Sequence, residues 1–286
     1  MLAALRDLMQ PPAGMAFDFS QPAGEPALAP HDGVSWQVFA NPVSLCVGGV
    51  AAVLLELAEP SVRSGVWDHS SFQRDPGTRL RRTGAAAMMT VYGPRSQAEK
   101  MIAHVVRMHE RVRGSTPDGV AYHANDPRLL DWVQATASFG FTEAYHRYVR
   151  PLNQLEKDSA FAEAGPAARL YGATGAPRSW EEWEALLAQT AAGLEGSIIL
   201  ADFMRIMGEA QLLPNAVPAP LRPLQRLLVR AAVEITPEPV RSLPQLRGRG
   251  LRFGEAALVR ALARGAALVP LGDTPQAQAA RRVARR

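Results

Sequence analysis

One cysteine, Cys46, stands in the 286-residue chain, which excludes an internal disulfide and any zinc or iron–sulfur site built from several thiolates. It lies in the apolar run 43–55, where a buried structural thiol is expected rather than a nucleophile. Aromatic residues make up 7%, little for a β-sandwich or for a protein that stacks bases. The run 43–55 is too short to span a bilayer, so no membrane span is expected. The first residues lack a charged segment followed by a sustained apolar one, and the expected compartment is the cytoplasm. Standard catalytic signatures are also missing: there is no G-x-G-x-x-G, Walker loop, H-E-x-x-H or G-x-S-x-G.

What is present is helix-forming. Alanine and leucine dominate, hydrophobic residues reach 47%, and no convincing period-two alternation appears. An all-α fold is expected, divided into an N-terminal arm (1–34), a helical domain (35–270) and a basic C-terminal tail (271–286). The net charge is +4, with arginines crowding the end of the chain: Arg241, Arg247, Arg249, Arg252, Arg260, Arg264, Arg281, Arg282, Arg285 and Arg286. A solvated end is the ordinary reading, since no aromatic interleaving or nucleic-acid motif accompanies them.

Residues 1–11 are expected to form a short helix, and the Pro/Gly-rich stretch 12–34 an arm or loop. Val43–Ala58 is apolar nearly all round and reads as a buried central helix. Its Gly48 and Gly49 would admit a neighbouring helix or a flat ligand. Pro60 ends that helix or begins the next. Helices are further expected over 80–92 and from Ser96, where Ser96 and Glu99 spell a capping box and Gly114 closes. Residues 115–125 read as a loop, and Asp126-Pro127 starts a long helix. Later helices are expected over 152–164, 179–193, 196–212, 220–234 and 254–267.

Two histidines share the helix that begins at Ser96. Ala98, Met101, Ile102, Val105, His109 and Val112 fall on one stripe, so His109 looks inward; His104, beside Lys100, Arg107 and Arg111, faces water. An inward imidazole among apolar groups is either a hydrogen-bonded core residue or an iron ligand. In the preceding segment Arg79, Arg82 and Thr83 share a face by i, i+3 and i+4 spacing, a positive patch suited to a carboxylate. Ion pairing with Asp68, Asp75 or Glu59 is the plain alternative. His69 is a site residue or a helix-end cap, and Tyr122 with His123 precedes a helix start, where loop residues line sites. His31 and His146 have no evident partner.

These segments carry a resemblance. Gly48-Gly49, Leu54-Leu55, Pro60, Gly65-Val66, Asp68-His69-Ser70, Phe72, Asp75-Pro76, Arg79-Leu80, Arg82-Thr83 and Val91-Tyr92-Gly93 come in order. His109, Gly114, Tyr122, Asp126-Pro127 and Trp132-Val133 follow, and scattered matches reach Leu251. In order and spacing the chain resembles the MpaB-type oxygenases, a family that includes the catalytic domain of the latex clearing (rubber oxygenase) proteins, over about 42–270. The resemblance implies a globin-related helical domain around a buried pocket for one haem b. His109 would be the axial iron ligand. Arg82 and Thr83 would lie on the distal side, where the rubber oxygenases have lysine followed by threonine. Arg79 and Tyr122 would contact the cofactor or an anionic substrate, and His69 would assist proton delivery. The implied partners are dioxygen and an apolar or unsaturated substrate. A departure is Glu59, where many relatives have histidine before proline; it alters a site contact or merely a helix end. The rival is a helical protein that senses or sequesters haem or an apolar ligand without turnover.

Overall fold

The computed structural model describes residues 17–209, 222–268 and 273–284. The helix expected over 1–11, the end of that expected over 196–212, and Arg285 and Arg286 lie outside them. The described chain is mostly helical. Its first half holds α1 (Val34–Val38), α2 (Pro42–Ala58), α3 (Pro60–His69), α4 (Pro76–Tyr92), α5 (Arg95–His109), a hairpin of β1 (Arg113–Ser115) and β2 (Ala121–His123), and α6 (Pro127–Tyr148). The second half holds α7 (Gln154–Tyr171), α8 (Trp180–Thr190), α9 (Ile198–Glu209), α10 (Arg222–Ile235), α11 (Glu238–Arg241), α12 (Glu255–Leu268) and α13 (Pro275–Ala284).

α2 is the centre of the molecule, as its all-round apolar sequence requires. Asn41 starts it by accepting hydrogen bonds from the Val43 and Ser44 amides at 3.0 and 3.2 Å. α6, α10 and α12 pack around it. The closest approach is backbone to backbone: a Cβ placed on Gly48 would lie 2.7 Å from the Gly140 carbonyl oxygen of α6. The neighbouring helix, not a flat ligand, therefore occupies the space beside Gly48. Trp132 locks the same pair, donating its Nε1–H to the Leu55 carbonyl at 3.3 Å and stacking on Trp183 of α8 at 5.8 Å. Cys46 sits partly buried in α2, and burial pushes its thiol up to about 11, which leaves it inert near neutrality. Among the described residues no single helix is long and apolar enough to cross a membrane. α2 and α3 together pass only as a pair bent by 108°, and most of α2 is core.

A second apolar cluster joins the ends of the chain. Phe19 and Leu28 from the non-helical stretch 17–33 pack with Trp36, Met89, Tyr92, Ile102 and Ala279. The Tyr92 hydroxyl donates to the Trp36 carbonyl at 2.7 Å. Arg282, expected among solvated arginines, is wholly buried instead. Its guanidinium donates to the Phe19 and Glu25 carbonyls at 2.6 and 2.8 Å, clasping α13 to residues 17–33.

Two local expectations are corrected around α5. The Ser96–Glu99 capping box does not form: the Glu25 carboxylate reaches the helix start first, accepting from the Ser96 amide at 2.6 Å and the Ser96 hydroxyl at 3.1 Å. Glu99 pairs with Arg95 instead. Glu25→Ala should therefore cost about 1 kcal/mol in urea denaturation, the usual worth of a helix cap, whereas Glu99→Ala should stay within about 0.5 kcal/mol as an exposed pair. Equal effects would contradict this assignment. Gly114 does not close α5, which ends at His109; it lies in β1, and the loop expected over 115–125 contains β2. Arg113 pairs with His123, Gly114 with Tyr122 and Ser115 with Ala121. Three-residue strands are too short to show alternation in sequence. Gly119, at φ +83°, takes the left-handed conformation between them.

Candidate functional site

α4 and α5 form a helical hairpin broken at Gly93-Pro94. Their mutual packing lies near that turn, where Met88, Met89 and Tyr92 meet Ala98 and Ile102. Toward the other end Arg82, Thr83 and Gly84 of α4 are exposed, and His109 at the end of α5 is half-buried. The predicted stripe on α5 holds: Ala98 and Ile102 are buried, Met101 and Val105 partly so, while His104 faces solvent.

Arg79 is the hub of this region. Its guanidinium contacts the Thr83 hydroxyl, which in turn donates to the Arg79 carbonyl at 3.0 Å. The expected shared face is thus formed. Neither Arg79 nor Arg82 makes a salt bridge among the described residues: Asp75 caps α4 through the Thr78 amide, and Glu59 pairs with Arg128 at 3.0 Å. Glu59 also caps α3 by accepting from the Val62 amide at 2.7 Å, so this departure from the family pattern serves a helix end. Arg79 lies close enough to feel Glu56, Arg82 and His109 electrostatically, and its own pKa is lowered, first by burial.

His109 has the electrostatics of a neutral imidazole. Burial and then the Arg79 charge lower its pKa below the ordinary 6.5. Asn125, just before α6, pulls the other way through its side chain: Nδ1 of His109 and Oδ1 of Asn125 are both buried and have no other hydrogen-bond partner. The Asn125 amide nitrogen donates instead to the Val106 carbonyl at 3.1 Å. With Nδ1 turned to Asn125, the open ring nitrogen of His109 is Nε2, which makes no hydrogen bond among the described residues.

Sequence reasoning missed Glu56, although a lone carboxylate in the apolar run of α2 was a usable signal. Burial raises its carboxyl to about 7, with Arg79 pulling it back down. The folded state then binds a proton that the unfolded chain has already released, so stability falls as pH rises from about 4.5 to about 7 and is flat above. Glu56→Gln should remove that slope; a thermal melt series showing the same pH dependence in both proteins would refute the assignment.

His69 and Tyr122 are also brought together. His69 ends α3, and its Nε2 lies 3.2 Å from the Tyr122 hydroxyl, with the rings edge to face at 6.3 Å. Tyr122 is buried over Gly114, where a Cβ would lie 2.8 Å from its hydroxyl. Among the described residues no hydrogen bond joins this pair to the Arg79 cluster, although the next residue, His123, is near enough to influence His109. His31 lies edge-on to Trp36, and the His146 Nδ1 accepts from the Leu152 amide at 2.9 Å. Among the described residues no three histidine, cysteine or carboxylate side chains cluster as a free metal ion would need.

A mostly helical domain with an inward histidine beside a cationic helix face is the class of protein that fold and site define. The family described as ER-bound oxygenase mpaB/B'/rubber oxygenase, catalytic domain, matches residues 36–268, and the chain belongs to it. Similar stretches occur in an uncharacterized protein of Mycobacterium bovis and in one of Mycobacterium tuberculosis. Each is 29% identical over 118 residues, 40% of this chain and 46% of the relative. The matched stretch thus spans under half the length of these curated relatives. No solved structure matches the chain.

Proposed function

We propose that the chain is a haem b-dependent oxygenase acting on an apolar or unsaturated substrate, in which His109 would hold the iron within a globin-related pocket. The observation that carries the reading is a half-buried imidazole beside Arg79, its Nδ1 turned to the Asn125 side chain and its Nε2 without a hydrogen bond among the described residues. These residues fit the group. A porphyrin brings four nitrogens of its own, so one neutral imidazole suffices as a protein ligand. Haem, when bound, supplies the redox chemistry for dioxygen.

The rest is the work of the chain's own side chains. Arg79, which has no carboxylate salt bridge, would hold a propionate. Arg82 and Thr83 would present a cation and a hydroxyl to negative charge developing on oxygen. Arginine stays protonated and does not itself become an iron ligand as a neutral amine could. Glu56, raised to about 7 and within electrostatic reach of Arg79, would accept or return a proton near neutrality. The His69–Tyr122 pair would pass a proton at the imidazole Nε2, and Tyr122 would wall the cofactor side. The test is oxygen uptake by hemin-loaded protein with a panel of alkenes. Uptake that depends on both hemin and alkene supports the oxygenase; reversible gas binding with no uptake would identify a sensor instead.

A further inference from the structure

A second basic site lies away from the α4–α5 hairpin. We infer that the cleft between the end of α6 and α12 binds a phosphate group. The cleft has a volume of about 340 Å³ and is lined by His146, Arg147, Arg150, Arg260 and Arg264, with Tyr148 at its wall. Four guanidiniums on one small concave surface repel one another unless an anion joins them. Two are partly neutralised: Arg147 pairs with Glu143 at 3.1 Å and Arg150 with Glu156 at 2.8 Å.

The other two are not. Arg260 spends its Nε–H on the Arg147 carbonyl at 3.2 Å and has no carboxylate partner among the described residues. Arg264, one turn further along α12, makes no hydrogen bond or ion pair among them and is exposed. Like charges at i and i+4 destabilise a helix, so sequence and fold retain an arrangement that costs stability without a ligand. The Tyr148 hydroxyl is committed to the Ala231 carbonyl at 3.1 Å and Arg150 to the Gln37 side chain and Pro151 carbonyl at 3.1 and 3.2 Å, whereas the terminal nitrogens of the Arg260 and Arg264 guanidinium forks are free to donate, as is Nε2 of His146, whose Nδ1 accepts from the Leu152 amide. Such forks match the paired oxygens of a phosphate. The phosphate could belong to a small diphosphate or to a lipid headgroup; Leu268, 84% exposed one turn beyond Arg264, lies on the same helix.

The intact protein is titrated with sodium pyrophosphate by calorimetry at fixed ionic strength. In parallel it is sedimented with phosphatidylcholine vesicles with and without phosphatidic acid. Saturable pyrophosphate binding is expected, weakened at least about tenfold in Arg260→Ala/Arg264→Ala, as loss of charge-assisted bonds implies. Arg264→Glu, at an exposed position with no contacts to lose, should weaken it likewise. Sedimentation that needs phosphatidic acid and is lost in the same variants assigns the site to a lipid headgroup; pyrophosphate binding without it assigns a free phosphate. Failure of both probes, or equal binding by wild type and variants, overturns the inference. Neither arginine belongs to the haem site, so hemin loading of the variants should match wild type.

Discussion

His109→Ala is expected to abolish the Soret band of hemin-loaded protein and to reduce bound iron from about one per chain to background. The loss should exceed the roughly 10–100-fold that removal of a merely supporting residue costs. His109 is half-buried at the end of α5, so the variant should fold and the loss should reflect ligation. Free imidazole added to His109→Ala should restore a Soret band, which a structural role would not produce. Because burial and Arg79 lower the pKa of His109, wild-type loading should persist as pH falls through 6.5 and fail only below it. Full haem retention with an unchanged spectrum in His109→Ala would remove the assignment.

Gly48→Ala carries the second large effect. A Cβ there would meet the Gly140 carbonyl at 2.7 Å and Phe141 Cα at 2.8 Å, both backbone atoms that cannot swing aside. α2 and α6 must separate, and overpacking of this kind costs about 1–3 kcal/mol. At Gly49 the nearest atom to a Cβ is in the Phe141 ring at 3.7 Å, an ordinary contact. Gly49→Ala should therefore gain up to about 1 kcal/mol of helix propensity. Adjacent substitutions of opposite sign, read from denaturation midpoints, would show that backbone approach sets the α2–α6 spacing. Equal stabilisation of both would refute it.

How much of this could be read from sequence follows from the range of the interactions involved. α2 was legible because an all-round apolar helix has only one place to go, and the start of α6 because Asp126-Pro127 is a local signal that Asp126 fulfils with the Arg128 amide. The inward turn of His109 was legible from its stripe. Contacts between distant residues were not. Glu25 caps a helix 71 residues away and displaces the local Ser96–Glu99 pairing. Arg282 resembles every other arginine of its tail, but reaches back to carbonyls at residues 19 and 25. Around the site, the alternative pairing of Arg79 and Arg82 with Asp68, Asp75 or Glu59 does not form among the described residues, and Asp75 and Glu59 cap their own helices instead. Glu56 is a single carboxylate in a helix that is otherwise apolar nearly all round. Its tie to Arg79 links two helices and leaves no periodic trace.

Haem binding through one histidine is what most needs a direct test in this fold. Optical titration of the full chain with hemin tests it most directly. A saturable Soret shift with about one hemin per chain is the predicted result. A protein that stays colourless, or that takes up hemin without saturation, would contradict it.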